Sequence, residues 1–296
     1  MNFKSKYDSY SNLVNAALEK YLPVRECHQK TIYEAMRYSL MAGGKRLRPV
    51  LSLAVCDMLG GDMEEILPYA CALEMIHTYS LIHDDLPAMD NDDYRRGRLT
   101  NHKVYGEAMA ILAGDALLNY AFELMLAAAG SSGKNPAGSI AAMRIIANSS
   151  GVSGMIGGQV IDMESEGKTI GPDLLDAMHS CKTGAIIKAA VLAPAALCGA
   201  DDSLLKHLEE YSGSIGVAFQ VKDDILDIEG NLGTLGKQCG SDEANDKSTF
   251  VTLYGMEKSK EMLDSLTKAA LQSIEEFGDK AWFLRELAVY IAKRGN

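Results

Sequence analysis

Along most of the chain, apolar residues recur every three to four positions, the spacing that gathers them on one face of an α-helix. Strong helix formers fill whole stretches, such as Glu107–Ala129 and Ala185–Leu197. With only 7 prolines in 296 residues, the pattern predicts an all-α fold rather than a sheet. The periodicity breaks at candidate loops: Leu59–Asp62, Pro87–Asn101, Gly130–Gly138, Glu166–Pro172 and Gly230–Ser248. None has the length or composition of an interdomain linker, so residues 1–296 are expected to form a single domain. No repeat of solenoid period is present. A looser pattern does recur: an apolar helix reaches an Asp-Asp pair at Asp84–Asp85 and again at Asp223–Asp224. Each pair precedes an irregular polar segment that contains basic residues.

Helical spacing puts His77, Leu81 and Asp84 on one face. Pro87 disfavours helix at the residue before it, so this helix is expected to stop near Leu86 and the chain to bring a third carboxylate, Asp90, back toward Asp84 and Asp85. In the second segment Gly216, Gln220, Asp223 and Asp227 form one stripe, with the last two a turn apart. Acidic pairs most often lie on a solvated helix face. Here they fall at helix C-termini, where they oppose the macrodipole, and at the rim of an apolar stretch. A divalent cation would supply the missing compensation. Clustered carboxylates without a full protein cage suit Mg²⁺, which keeps waters and takes phosphate oxygens as further ligands. The metal candidates are therefore Asp84, Asp85, Asp90, Asp223 and Asp227.

Charge narrows the partners. Forty acidic against 29 basic side chains give a net charge of −11, which argues against nucleic acid or an anionic membrane. Basic residues are nevertheless concentrated at Lys45–Arg48, after the flexible Gly43-Gly44, and at Arg95–Arg98. Beside a Mg²⁺–phosphate site they make sense as diphosphate clamps, with Lys182 and Lys237 as further candidates. The longest apolar run, Gly184–Ala200, is interrupted by Lys188 and Pro194, so no membrane span is expected. The first residues lack the apolar region of a secretory signal. Six cysteines without a CxxC pair read as reduced thiols of a cytoplasmic protein. There is no nucleophile elbow, Walker A loop or dinucleotide fingerprint. His77, His83 and His102 lie near the first acidic cluster, but their spacing matches no zinc signature. Gly157-Gly158-Gln159 is consistent with a close helix contact.

Taken in order, these segments resemble the trans-isoprenyl diphosphate synthases, and among them the bacterial farnesyl diphosphate synthases. The resemblance runs nearly the whole chain. It rests on Gly43-Gly44-Lys45-Arg46-Leu47-Arg48-Pro49, on His77 through Asp84-Asp85 and Asp90 to Arg95-Arg96-Gly97, on Gly157-Gly158-Gln159, on Lys182-Thr183-Gly184, and on Phe219-Gln220 through Asp223-Asp224 to Asp227. It implies a helical bundle around a central cavity and a homodimer. It implies three Mg²⁺ ions bridging an allylic diphosphate to Asp84, Asp90 and Asp223, with Asp85, Asp224 and Asp227 nearby or acting through water. Arg95, Lys182 and Lys237 would hold the allylic diphosphate. Lys45, Arg48, His77 and Arg96 would hold isopentenyl diphosphate. Thr183 and Gln220 would offer dipoles to the developing carbocation. The chain departs from the family pattern at Asp246-Lys247-Ser248-Thr249-Phe250-Val251, which lacks the usual Gly and Pro.

The reaction so implied is ionisation, condensation and proton loss, which requires no protein nucleophile. Product length is read from Tyr79, five residues before Asp84 and so roughly 7.5 Å along the helix at 1.5 Å per residue. A ring there would act as a floor and stop growth at the farnesyl length. The rival readings are a geranylgeranyl or longer-chain synthase, a terpene cyclase and a non-catalytic subunit. The Lys45/Arg48 clamp argues against a cyclase, and the intact acidic clusters argue against a subunit that has lost activity.

Overall fold

The computed structural model describes residues 2–132, 135–229 and 248–295. They fold into helices. The sole strands among them are two-residue segments, Tyr94–Arg95 (β1) and Arg98–Leu99 (β2), paired antiparallel with Tyr94 opposite Leu99. The chain divides into two compact units, 1–143 and 144–296.

The first unit is built on α4 (Met63–Asp84). Asp62 caps its N-terminus by accepting from the Glu64 amide at 2.9 Å, and Glu64 and Glu65 complement the dipole in the first turn. Buried residues then occur on every side of the helix from Ile66 to Ile82, as expected of a helix enclosed by others. Around it pack α1 (Phe3–Tyr21), α2 (Lys30–Leu40), α3 (Leu47–Leu59) and α6 (Glu107–Ser132), with the short α5 (Asn101–Tyr105) against α2 and α6. A Schellman-like end at Gly60, whose φ is +71°, stops α3. His83 Nε2 donates to the Ile111 carbonyl oxygen of α6 at 3.0 Å. That contact needs Gly114, where a methyl would lie 2.1 Å from the imidazole.

The second unit is organised by α11 (Asp202–Glu229). Against it lie α10 (Ala185–Leu197), α12 (Phe250–Tyr254), α13 (Met256–Ser273) and α14 (Trp282–Lys293). The helices α8 (Met155–Ser165) and α9 (Pro172–His179) pack on each other and on a π-helical turn, Ser180–Gly184. Ile170, Leu175, Met178, Val221, Ile225 and Phe250 form part of one core cluster here. α7 (Pro136–Ser150) contains the boundary between the units.

The long helical stretches expected from the sequence are present, and α10 has the bounds read from its composition. Two details differ. α4 ends at Asp84, two residues before Leu86, where the α-helical bond from Asp85 N to Leu81 O gives way to the tighter one from Leu86 N to His83 O, at 3.1 Å each. The second acidic helix runs on past its Asp-Asp pair to at least Glu229.

Candidate active site

In the first unit the backbone delivers Asp90 back to the helix end. Asp90 N donates to Asp84 O at 2.9 Å, and Asn91, at φ +52°, donates to Leu86 O at 3.1 Å. Asn is among the residues that tolerate this left-handed conformation. The β1–β2 hairpin follows, turning through Arg96 and Gly97, both at positive φ as a two-residue turn requires. Tyr38 OH holds the Leu99 carbonyl at 2.8 Å, and Asn101 donates to Ala35 O and Ser39 Oγ, so the hairpin is pinned to α2.

Asp85 is buried and faces inward. Arg95 donates to it at 2.5 Å and to Asp92 at 3.1 Å. Burial pushes the Asp85 carboxyl up to about 6, against the pull of the Arg95 guanidinium. Asp84 is half-buried and Asp90 exposed, so these two remain reachable by a ligand.

The basic turn before α3 is stitched from several sides. Gly43 and Gly44 sit at φ +86° and +113°, and Arg46 at +53°. Tyr7 OH donates to Lys45 O at 2.7 Å. Arg46, expected from its position to be part of a phosphate clamp, is instead buried: it donates to Glu74 at 2.7 Å, Leu40 O at 2.8 Å and Asn15 Oδ1 at 3.0 Å. Its fork is used to anchor the turn, which leaves Lys45 exposed and Arg48 half-buried. Arg96 donates to Gly43 O and lies so close to Gly44 that a methyl there would be 2.6 Å from its Cζ. His77 belongs to the same neighbourhood. Desolvation, then the charges of Arg48, Arg96, Arg95 and Arg46, hold its imidazole well below the usual range, so it is neutral at pH 7. Arg48, Arg95 and Arg96 thus all lie close enough to His77 to act on its charge. Tyr79 is buried on α4 and meets His83 edge-on, with centroids 5.8 Å apart; burial, with the nearby Asp84 charge, pushes its phenol up to about 12.

In the second unit the π-helical turn presents Lys182 and Thr183. Such turns occur often at functional sites. α8 approaches its backbone so closely that a methyl on Gly158 would be 2.1 Å from Lys182 N, which confirms the close helix contact read at this glycine pair. Lys182 Nζ donates to Asp162 at 2.6 Å, and Thr183 donates to Gln220 Oε1 at 3.3 Å. Gln220 in turn donates to Asp224 at 3.0 Å, and the other Asp224 oxygen accepts from Phe250 N at 2.8 Å. Asp224 is buried and ties α11 to α12, while Asp223 and Asp227 are half-buried on the outer stripe. Arg294 donates to Asp223 at 2.7 Å.

A cavity of about 140 Å³ is lined by Asp162, His179, Lys182, Thr183, Gln220 and Asp224. His179 stacks on Phe250 at 5.2 Å, and its buried Nε2 has no hydrogen-bond partner among the described residues. Lys237 lies outside the described residues. Asp162, His179 and Arg294 were not among the sequence-derived site residues. Asp162 had a weak signal, being a carboxylate one turn after Gly158. His179 directly precedes the Ser180–Gly184 turn but meets Phe250 only through the fold, and Arg294 is joined to Asp223 across 71 residues of chain. Among the described residues, no three His, Cys, Asp or Glu side chains are drawn into a ready-made metal cage. His83 and His102 are engaged by Ile111 O and Thr100 Oγ1.

An acidic end on α4, a carboxylate stripe on α11 and a basic neighbourhood around His77 suit a protein that handles diphosphates. Comparison with known proteins agrees: the polyprenyl synthetase family profile matches residues 29–286, and the chain belongs to that family. It is therefore a prenyltransferase with the all-α isoprenoid synthase fold. It is similar to a farnesyl diphosphate synthase of Micrococcus luteus, 46% identical over 97% of this chain and 96% of the relative. It is also similar to a geranylgeranyl diphosphate synthase of Cyanophora paradoxa, 48% identical over 90% of this chain and 88% of that one. Among solved structures, the crystal structure of an FPP/GFPP synthase from Zymomonas mobilis superposes with a TM-score of 0.88 at 35% identity, covering 98% of this chain and 99% of that one.

Proposed function

We propose that this chain condenses isopentenyl diphosphate with dimethylallyl and then geranyl diphosphate and releases farnesyl diphosphate. The observation that carries the reading is the acidic return at the end of α4, where Asp90 N closes on Asp84 O beside Arg48, His77, Arg95 and Arg96. The donor set fits Mg²⁺: Asp84, Asp90, Asp223 and Asp227 are partly or fully exposed hard-oxygen ligands that form no complete cage, which suits an ion that keeps waters and takes phosphate oxygens. Asp85 would support this set through Arg95. When bound, the three ions expected would act as Lewis acids on the allylic diphosphate.

The protein's own groups do the rest. Lys45, Arg48 and Arg96 offer fixed positive charge and guanidinium forks to the isopentenyl diphosphate. His77, being neutral, offers it a hydrogen bond without adding charge. Lys182, with Lys237 and Arg95, holds the allylic diphosphate and stabilises charge as it departs. Thr183 and Gln220 would offer carbonyl and amide dipoles to the developing carbocation. The departing diphosphate accepts the final proton.

Tyr79, buried one to two turns before Asp84, supports the farnesyl product over the geranylgeranyl one. A homodimer is supported by α6, which exposes Ile111, Leu112 and Leu126 although it has the hydropathy of a core helix. α6 and the stretch 172–197 are long and apolar enough to cross a membrane by composition. The latter is half buried within its own unit and carries Lys182 and Lys188, which favours a non-spanning protein. Every described cysteine is a free thiol, in keeping with the cytoplasm. Asp246 and Lys247, where the family pattern is lost, lie outside the described residues, as do most positions of the Gly230–Ser248 loop.

The decisive assay supplies isopentenyl with dimethylallyl or geranyl diphosphate and Mg²⁺, with chelator as control, and resolves products by chain length. Farnesyl diphosphate from the wild type, abolished by chelator, is expected. A geranylgeranyl product from the wild type would remove the farnesyl assignment.

A further inference from the structure

We infer that Arg294 is a positioning residue for Asp223, holding its carboxylate in the orientation that receives the metal; this rests on the metal role proposed for Asp223. Arg294 immediately follows α14, and its amide donates to Tyr290 O at 2.9 Å, so the helix end fixes where its side chain starts. The guanidinium is almost fully enclosed, with 3% of the side chain exposed, and lies over the Phe219 ring at 3.8 Å from the centroid. A planar cation stacked on an aromatic face has little freedom.

From that seat a single nitrogen makes two bonds. Arg294 Nη2 donates to Phe219 O at 2.9 Å and to Asp223 Oδ1 at 2.7 Å. Phe219 lies one helical turn before Asp223, so the arginine bridges the carboxylate to the backbone of its own helix. This fixes the Asp223 rotamer through one oxygen, on a side chain that is still 42% exposed. A freely rotating carboxylate would have to be ordered when the metal binds; this one is ordered beforehand. The first unit has a similar device, in which Arg95 engages Asp85 at 2.5 Å. Outer-shell partners of metal-binding carboxylates act in this way, and their loss costs about 10–100-fold in metal affinity or activity.

The test is Mn²⁺ binding to the full-length protein with inorganic pyrophosphate present, read by the EPR signal of free Mn²⁺, for wild type, Arg294→Lys, Arg294→Gln and Asp223→Asn. Circular dichroism melts accompany each variant. Arg294→Gln should weaken Mn²⁺ binding by about 10–100-fold. Arg294→Lys should fall between it and wild type, because lysine keeps the charge and donors but not the flat stacked face. Asp223→Asn should lose binding at least as severely. If Asp223→Asn loses Mn²⁺ while both Arg294 variants bind within twofold of wild type, or more tightly, the positioning role is overturned and the metal role of Asp223 stands. If Asp223→Asn itself binds normally, both are overturned. A folded Arg294→Lys with wild-type melting and weakened Mn²⁺ binding separates positioning from a merely structural role.

Discussion

Single side chains in the second unit carry measurable consequences. His179 is 9% exposed, and burial holds its imidazole down at about 4, only partly offset by the Asp162 carboxylate. Its ordinary value is 6.5, so as pH falls the unfolded chain takes the proton first. The stability tied to neutral His179 is therefore complete above about pH 6.5 and is lost progressively toward pH 4, by roughly 3 kcal/mol in all. Urea unfolding of wild type and His179→Gln at pH 7 and 4.5 checks this: the variant should lose less stability on acidification. Equal losses would mean the imidazole is not buried neutral. Gly158 is the other informative residue. A methyl 2.1 Å from Lys182 N forces α8 and the π-helical turn apart. Gly158→Ala should cost about 1–3 kcal/mol by overpacking. It should also lower kcat at least tenfold, because Lys182 and Thr183 move with the turn; steady-state kinetics beside a thermal melt would show both.

At the scale of elements, the turn before α3 depends on a buried ion pair. Arg46 and Glu74 are each 2% exposed at the side chain. Glu74→Gln strands a buried guanidinium, a change that costs about 3–5 kcal/mol. The turn that presents Lys45 and Arg48 then loosens, so KM for isopentenyl diphosphate should rise more than KM for the allylic substrate. Equal rises in both would detach the pair from the clamp. This element also shows what local pattern does and does not carry. Helices α6 and α10 were legible because propensity and period agree over many residues. The acidic return was legible because Pro87 is a local stop signal, although the helix ends at Asp84 and not Leu86. Arg46 was not legible: Lys-Arg-Leu-Arg reads as a uniform basic turn, and the carboxylate that draws one arginine inward is 28 residues away. The π-helical turn at Ser180–Gly184 likewise leaves no mark in a segment of ordinary helix-compatible residues. Its close approach to Gly158 is a contact between segments 24 residues apart.

For the whole molecule, the unexplained surface is α6. It runs 26 residues and packs on α2, α4 and α5, yet Ile111, Leu112 and Leu126 are 45%, 54% and 61% exposed. At 100° per residue these three fall within one sector of the helix, so they form a stripe rather than scattered apolar positions. Single exposed apolar residues need no explanation, but a stripe on a helix of this hydropathy marks a surface that something covers. Under the proposed homodimer the occupant is a second copy of the chain, each α6 meeting its counterpart about a twofold axis. The net charge of −11 disfavours the other candidate, an anionic bilayer. Sedimentation equilibrium at micromolar concentration should return a dimer for the wild type. Leu112→Glu with Leu126→Glu places four carboxylates in the dimer contact and should return a monomer that keeps its helical circular dichroism. Turnover measured on that monomer would show whether pairing matters for activity or only for stability. A wild-type protein that sediments as a monomer, or a double variant that stays dimeric, would rule out α6 as the contact.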